Sequence, residues 1–239
     1  PSGSSAGLAD GNIYLGDPSL DPEVALIAET GFDYVTENAY IRPTVYIRQI
    51  DDFIQGTPFD DTPGVADSME EMMASMHGSS AALLRFTNVD ARLYGFDLDA
   101  GMDLPGRLRA DAVLSYVRGE RRDLDEDLYR IAPPSLTAGL TWEGDLWSAT
   151  FETRAVAEQD KVSQTLQEAG TPGHVTLSLY GDWQVKDGVR LSAGVENLLD
   201  QITRDHLSGY NRNAYGDVAI GTRLPGAGRG AFLRLSFVG

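Results

Sequence analysis

Ser135-Leu-Thr-Ala-Gly-Leu-Thr-Trp-Glu143, then Gly144-Asp-Leu146, then Trp147-Ser-Ala-Thr-Phe-Glu-Thr-Arg-Ala155 reads as a β-hairpin. Leu136, Ala138, Leu140 and Trp142 alternate with Ser135, Thr137, Gly139 and Thr141. Beyond the turn, Trp147, Ala149, Phe151 and Ala155 alternate with Ser148, Thr150, Glu152 and Arg154. Successive side chains of a strand point to opposite faces, so this pattern makes one apolar face and one polar face. The turn is short and a tryptophan stands on each side of it.

The same pattern extends outward in both directions. Val24–Tyr34, Ala39–Gln55, Tyr94–Leu104 and Leu108–Tyr116 precede the hairpin. Val175–Trp183, Val189–Val195 and Ala231–Phe237 follow it, for about nine strands in all. Connections alternate in length. Short turns fall at Val35–Asn38, Pro105–Arg107, Glu143–Leu146 and Val185–Gly188; long polar loops fall at Gly56–Asn88, Gly119–Pro133, Asp160–Gly173 and Leu198–Gly228. Tight turns at one end and long loops at the other are the arrangement of outer-membrane barrels. Tyr34, Trp142, Trp147, Trp183 and Phe237 all fall at the short-turn end, as an interfacial aromatic girdle requires. A soluble β-barrel binding module also alternates, but nothing in it demands loops so regular in length. The fold expected is therefore all-β, a transmembrane antiparallel β-barrel.

Composition agrees. The chain has 239 residues, a formal charge of −17 and no cysteine. That charge excludes the basic footprint of a nucleic-acid binder. The lack of cysteine removes disulfide scaffolds, thiolate metal sites and Cys nucleophiles. A hydrophobic content of 42% is too high for a disordered acidic tail. No run of about 18 apolar residues marks a transmembrane helix. No GxSxG, HExxH, P-loop or GxGxxG in its proper context points to an enzyme. Nine strands is an odd number, and Arg42, Arg48, Glu152, Arg154 and Glu196 on the polar face need a wide, wet or plugged lumen. Residues 1–239 are accordingly expected to be the C-terminal part of one larger barrel domain, with residues 1–22 the end of an extracellular loop.

Five motifs in order add a resemblance. Gly16-Asp-Pro-Ser-Leu-Asp-Pro-Glu23 with Glu29-Thr-Gly31, Tyr94-Gly-Phe-Asp97, Ala132-Pro-Pro134, Val195-Glu-Asn-Leu-Leu-Asp200 and Pro225-Gly-Ala-Gly-Arg229 resemble the barrel motifs of TonB-dependent outer-membrane receptors. The resemblance implies the last nine or so strands of a barrel of about 22. It implies location in the Gram-negative outer membrane and no bond-making chemistry. It implies capture of a scarce ligand, such as a metal ion or metal–siderophore complex, for TonB-energised import through a plug. Its partners would be the TonB complex, outer-membrane lipid and lipopolysaccharide, and the barrel-assembly machinery, which reads a terminal aromatic; here that is Phe237. The resemblance implies that no cofactor is required and that copper or an iron complex would be the transported substrate. Arg204-Asp-His-Leu-Ser-Gly-Tyr-Asn-Arg212 and Gly221-Thr-Arg-Leu-Pro-Gly226 look most like receptors for copper. A passive porin is the other membrane reading.

Candidate ligand residues gather in one long loop. Met69, Met72, Met73, Met76 and His77 share helical spacing, and four of the five methionines of the chain lie there. Ser68 with Glu71 forms a capping box and Gly78 suits the helix end. Thioethers and imidazole are soft ligands suited to Cu(I), while a methionine stripe equally suits adaptable loop packing. His206 is a ligand candidate or a loop hydrogen-bonder. His174 reads as a polar rim residue. The acidic stretch Gly119–Asp127 reads as solvated surface, or as a divalent-ion bridge to lipopolysaccharide.

Overall fold

The structure, a computed structural model, describes residues 13–59, 83–211, 213 and 217–237. The Met69–His77 stretch lies outside the described residues. Among the described residues, twelve strands form one sheet: β1 (Ile13–Leu15), β2 (Val24–Gly31), β3 (Tyr34–Val35), β4 (Ala39–Pro58), β5 (Leu83–Leu104), β6 (Leu108–Arg121), β7 (Glu126–Asp127), β8 (Ser135–Glu143), β9 (Trp147–Val156), β10 (His174–Lys186), β11 (Val189–Glu196) and β12 (Gly230–Phe237). Nine of them form a continuous path, β12-β11-β10-β9-β8-β6-β5-β4-β2, while β1, β3 and β7 are short side pairings. Each neighbour on that path is antiparallel.

Register carries the two faces across the whole sheet. Met102, Ala110, Leu140, Phe151, Leu179, Val195 and Ala231 stand directly opposite one another in successive strands. Leu114 opposes Leu98 and Leu136, and Leu191 opposes Trp183 and Leu235, all on that same face. Apolar exposure on it is high: Leu233 is 74% and Phe237 73% accessible. Such a face is stable only against lipid, and we call it the outer face. The opposite face carries a polar lattice. The Tyr40 hydroxyl donates to Asp99 (3.0 Å) and reaches Asp111 (3.4 Å). Arg109 pairs with Asp103 and Asp111, both at 3.1 Å, and Ser115 donates to Asp97 at 2.6 Å. A Cβ on Gly101 would lie 2.4 Å from the Tyr40 ring, so the missing side chain is what lets the ring lie flat on the wall.

The ends sort by connection length as expected. β4–β5, β6–β8, β9–β10 and β11–β12 connect at one end, and the short turns lie at the other. Gly106 and Arg107 both have positive φ, 84° and 64°, which closes the β5–β6 turn with the twist a tight hairpin needs. At this end Trp142 and Trp147 pack with ring centroids 4.0 Å apart, and Trp147 stands opposite Trp183.

Strand limits differ from the sequence expectation in two ways. The strands outrun the alternation: β4 reaches Pro58, β5 begins at Leu83 and β6 reaches Arg121, all inside the expected loops. Above the lipid no face need be apolar, so pairing continues after the pattern has stopped. Below, the single strand expected over Glu23–Tyr34 is broken at Phe32 and Asp33. Those residues stand against Arg42 and Pro43; Phe32 donates to the Pro43 carbonyl (3.3 Å), and Pro43 has no N–H to return the bond.

Candidate functional site at the long-loop end

Three long connections meet above the sheet through a buried carboxylate. Glu168, in the β9–β10 connection, accepts from the backbone N–H of Arg130 (3.1 Å) and of Ser163 (3.2 Å). His206, in the β11–β12 connection, places Nε2 3.0 Å from Glu168 Oε1 and Nδ1 3.0 Å from Thr171 Oγ1. Both side chains of the His206–Glu168 pair are essentially sealed from solvent, at 0% and 1% accessible. Arg223, also buried, donates to the carbonyls of His206 and Ser208, to that of Ala169 at 3.4 Å, and to the Tyr210 hydroxyl at 2.7 Å. Its guanidinium lies 4.6 Å from the Tyr210 ring centre. The stretches Arg204–Asn211 and Gly221–Gly226 thus close on each other, with Arg223 as the pin.

A second carboxylate ties the same loops from below. Glu126 of β7 accepts from the Thr165 N–H at 2.6 Å, the Thr165 hydroxyl and the Ser163 hydroxyl at 3.0 Å. Burial alone would push this carboxyl up, but the hydrogen bonds from Thr165 and Ser163 outweigh it and hold it below the ordinary range. Asp123 is held down by Arg121, whose Nη2 lies 2.5 Å away. Asp127 goes the other way, because burial dominates, although Arg118 pairs with it at 2.7 Å. A cavity of ≈ 190 Å³ opens beside this pair, lined among others by Ile131, Gln159, Asp160 and Lys161.

The expected site residues divide as follows. His206 is a loop hydrogen-bonder with both ring nitrogens engaged by protein. His174 starts β10, directly opposite Val156 of β9. The acidic stretch is not a bare solvated surface: Arg121, Arg122, Asp123, Glu126 and Asp127 are all paired. Phe237 ends β12 on the outer face. Among the described residues, no three His, Asp or Glu side chains converge as a metal-holding group. Glu168 went unnoticed in the sequence, and the pairing roles of Arg223 and Glu126 were not visible there, because polar loop residues carry no periodic signal that separates a buried partner from a solvated one.

Residues 1–198 match the family model "TonB dependent receptor-like, beta-barrel". The chain is similar to the copper transporter OprC, with 28% identity over 92% of this chain and a TM-score of 0.79. The fold is shared with the siderophore receptor PirA from Acinetobacter baumannii (15% identity, 94% of this chain, TM-score 0.64) and the FrpB iron transporter from Neisseria meningitidis (16%, 95%, 0.63). The chain spans about a third of these proteins: 32% of the first and 33% of the other two. No curated protein shows a significant sequence match. With the matched family model covering most of its length, the chain belongs to the TonB-dependent receptor β-barrel family, a family of outer-membrane barrels that are transporters and not enzymes.

Proposed function

We propose that this chain is the C-terminal part of the barrel of an active outer-membrane receptor, and that its long-loop end captures a soft metal ion or metal complex as transported substrate. The observation that carries the reading is the likeness to a copper transporter over 92% of the chain, joined to the sequence content of one connection. Residues 60–82 belong to the connection from β4 to β5, the two longest strands among the described residues, and include Met69, Met72, Met73, Met76 and His77. Two or three such ligands suffice for Cu(I). Import would be energised by TonB acting on a plug held against the polar wall. Outer-membrane lipid with lipopolysaccharide would surround the outer face, and the assembly machinery would read Phe237. His206 supports this end by holding loops together.

The test compares the receptor with a variant in which Met69, Met72, Met73 and Met76 become leucine and His77 becomes serine. Loss of Cu(I) binding and of copper uptake in the variant is the expected result. Equal affinity and equal uptake would leave the stripe as loop packing. Uptake that persists without TonB would favour a passive porin.

A further inference from the structure

Two prolines leave a gap in the sheet. β6 pairs with β8 up to Ser115 opposite Ser135, and with β7 from Glu120 opposite Asp127. Continued upward, the β8 register would set Pro133 against Val117, but Pro133 and Pro134 have no N–H to give. Among the described residues no strand pairs with that edge of β6 over residues 116–119. The Gly119 carbonyl points to this edge and is taken by the Leu128 N–H at 2.9 Å. Alternate residues of an antiparallel strand turn their backbone groups to the same side, so the N–H and carbonyl of Val117 point into the gap. The gap is the cavity of ≈ 190 Å³ beside Arg118 and Asp127.

Its walls are fixed and carry both charges. Gln159, itself buried, donates to the Ile131 carbonyl at 2.7 Å and accepts from the Lys161 N–H at 3.2 Å, while its backbone pairs with Thr171. These bonds hold Glu158, Asp160 and Lys161 at the gap. Arg118 pairs with Asp127 at 2.7 Å and Glu120 at 3.5 Å, and a guanidinium has more donors than these two bonds use. Lys161, in no ion pair among the described residues, completes the cationic side.

The cavity stands at headgroup depth. Tyr116 follows Leu114 on the outer face, Arg118 follows Tyr116, and Asp127 shares that face through Glu120. From Leu108, opposite Trp142, to Tyr116 the strand climbs roughly 20 Å, at ~3.3 Å per residue and a tilt of ~40°. The apolar band of such a barrel is about 25 Å tall, so Tyr116 marks its upper limit, where tyrosine belongs.

We propose that this gap binds the phosphorylated sugar of an outer-leaflet glycolipid. Arg118, Lys161 and the Val117 N–H take the phosphate, and Asp160, Glu158 and the Val117 carbonyl take sugar hydroxyls. Charge and size support that occupant. A bare anion would meet Asp127, Asp160 and Glu158 as repulsion, whereas sugar hydroxyls use carboxylates as acceptors. Room for about six waters, at ~30 Å³ each, admits the phosphate-bearing end of one sugar and excludes a siderophore. Free sugar phosphate offers the same groups, and the depth of the site favours the lipid-borne form.

The test uses the intact receptor purified in detergent, with rough lipopolysaccharide and free glucosamine phosphate as separate probes. Lipopolysaccharide is expected to slow amide exchange at Val117. It should bind Lys161→Glu about tenfold more weakly than wild type, the loss of one charged contact. Lys161→Arg should bind as wild type does, and so should Lys186→Glu, a control at the short-turn end. Glucosamine phosphate should protect Val117 only at far higher concentration. Unchanged Val117 exchange in lipopolysaccharide, or equal affinity of wild type and Lys161→Glu, overturns the proposal. Free glucosamine phosphate binding as tightly as lipopolysaccharide overturns the lipid-borne source.

Discussion

Glu168 illustrates how much one residue decides in this protein. Its carboxylate is the shared acceptor for Arg130, Ser163 and His206, which belong to three different connections. Glu168→Ala strands those donors in a buried site, and each buried unsatisfied group costs about 1–3 kcal/mol. Faster amide exchange in residues 157–173 is expected, with the strands unaffected; unchanged protection would mean the loops are held by other contacts. Acid should loosen the same loop through Glu126. Its carboxyl titrates lower in the folded protein than in the unfolded chain. Its contribution is therefore complete above the unfolded value of about 4.3 and is lost as pH falls through the folded value. Asn88 of β5 acts similarly, its one amide bonding the backbone of Asp21 and the carbonyl of Asp52.

At the scale of the element, each strand is a two-sided object whose faces meet different solvents. β9 makes the clearest case. Phe151 points to the outer face and is 44% accessible, while Glu152 points to the polar wall, where the Tyr180 hydroxyl reaches it at 3.4 Å. Phe151→Lys should destabilise the membrane-inserted barrel by about 2–4 kcal/mol, as lysine does on a lipid face near the midplane. Glu152→Lys, one residue away, should cost much less because it remains among water and polar groups. Denaturant unfolding from lipid vesicles measures both. Equal costs would mean that the two faces are not distinct environments. β4 and β5 show the complementary case: their pairing continues up to Pro58 and Leu83, and there the apolar Leu84 and Phe86 pack with Tyr14 and Leu166 instead of lipid.

The whole molecule is an open sheet whose terminal strands, β2 and β12, each have one edge without a partner among the described residues. Unpaired edges are not tolerated in hydrocarbon, since each unsatisfied backbone group there costs several kcal/mol. The 239-residue chain expressed by itself should therefore self-associate, and should not insert into liposomes as a monomer. Light scattering and protease protection test this, and monomeric, protected insertion would contradict it. Much of this was legible in the sequence. Alternation, loop phase, the tryptophans of the short-turn end and the identity of the nine main strands follow from where successive Cβ atoms point, a property of the local chain. The break at Pro43 was written there too, but it shows only once Phe32 is known to lie opposite. The clasp of Glu168, His206 and Arg223, the reach of β4 and β5 above the lipid, the register shift between Ile50 and Phe53 and the Tyr14 ring over Gly56 were decided by tertiary structure alone. Each depends on partners brought together across intervening strands, and a polar residue that will be buried in such a contact looks, in sequence, like one that stays in water.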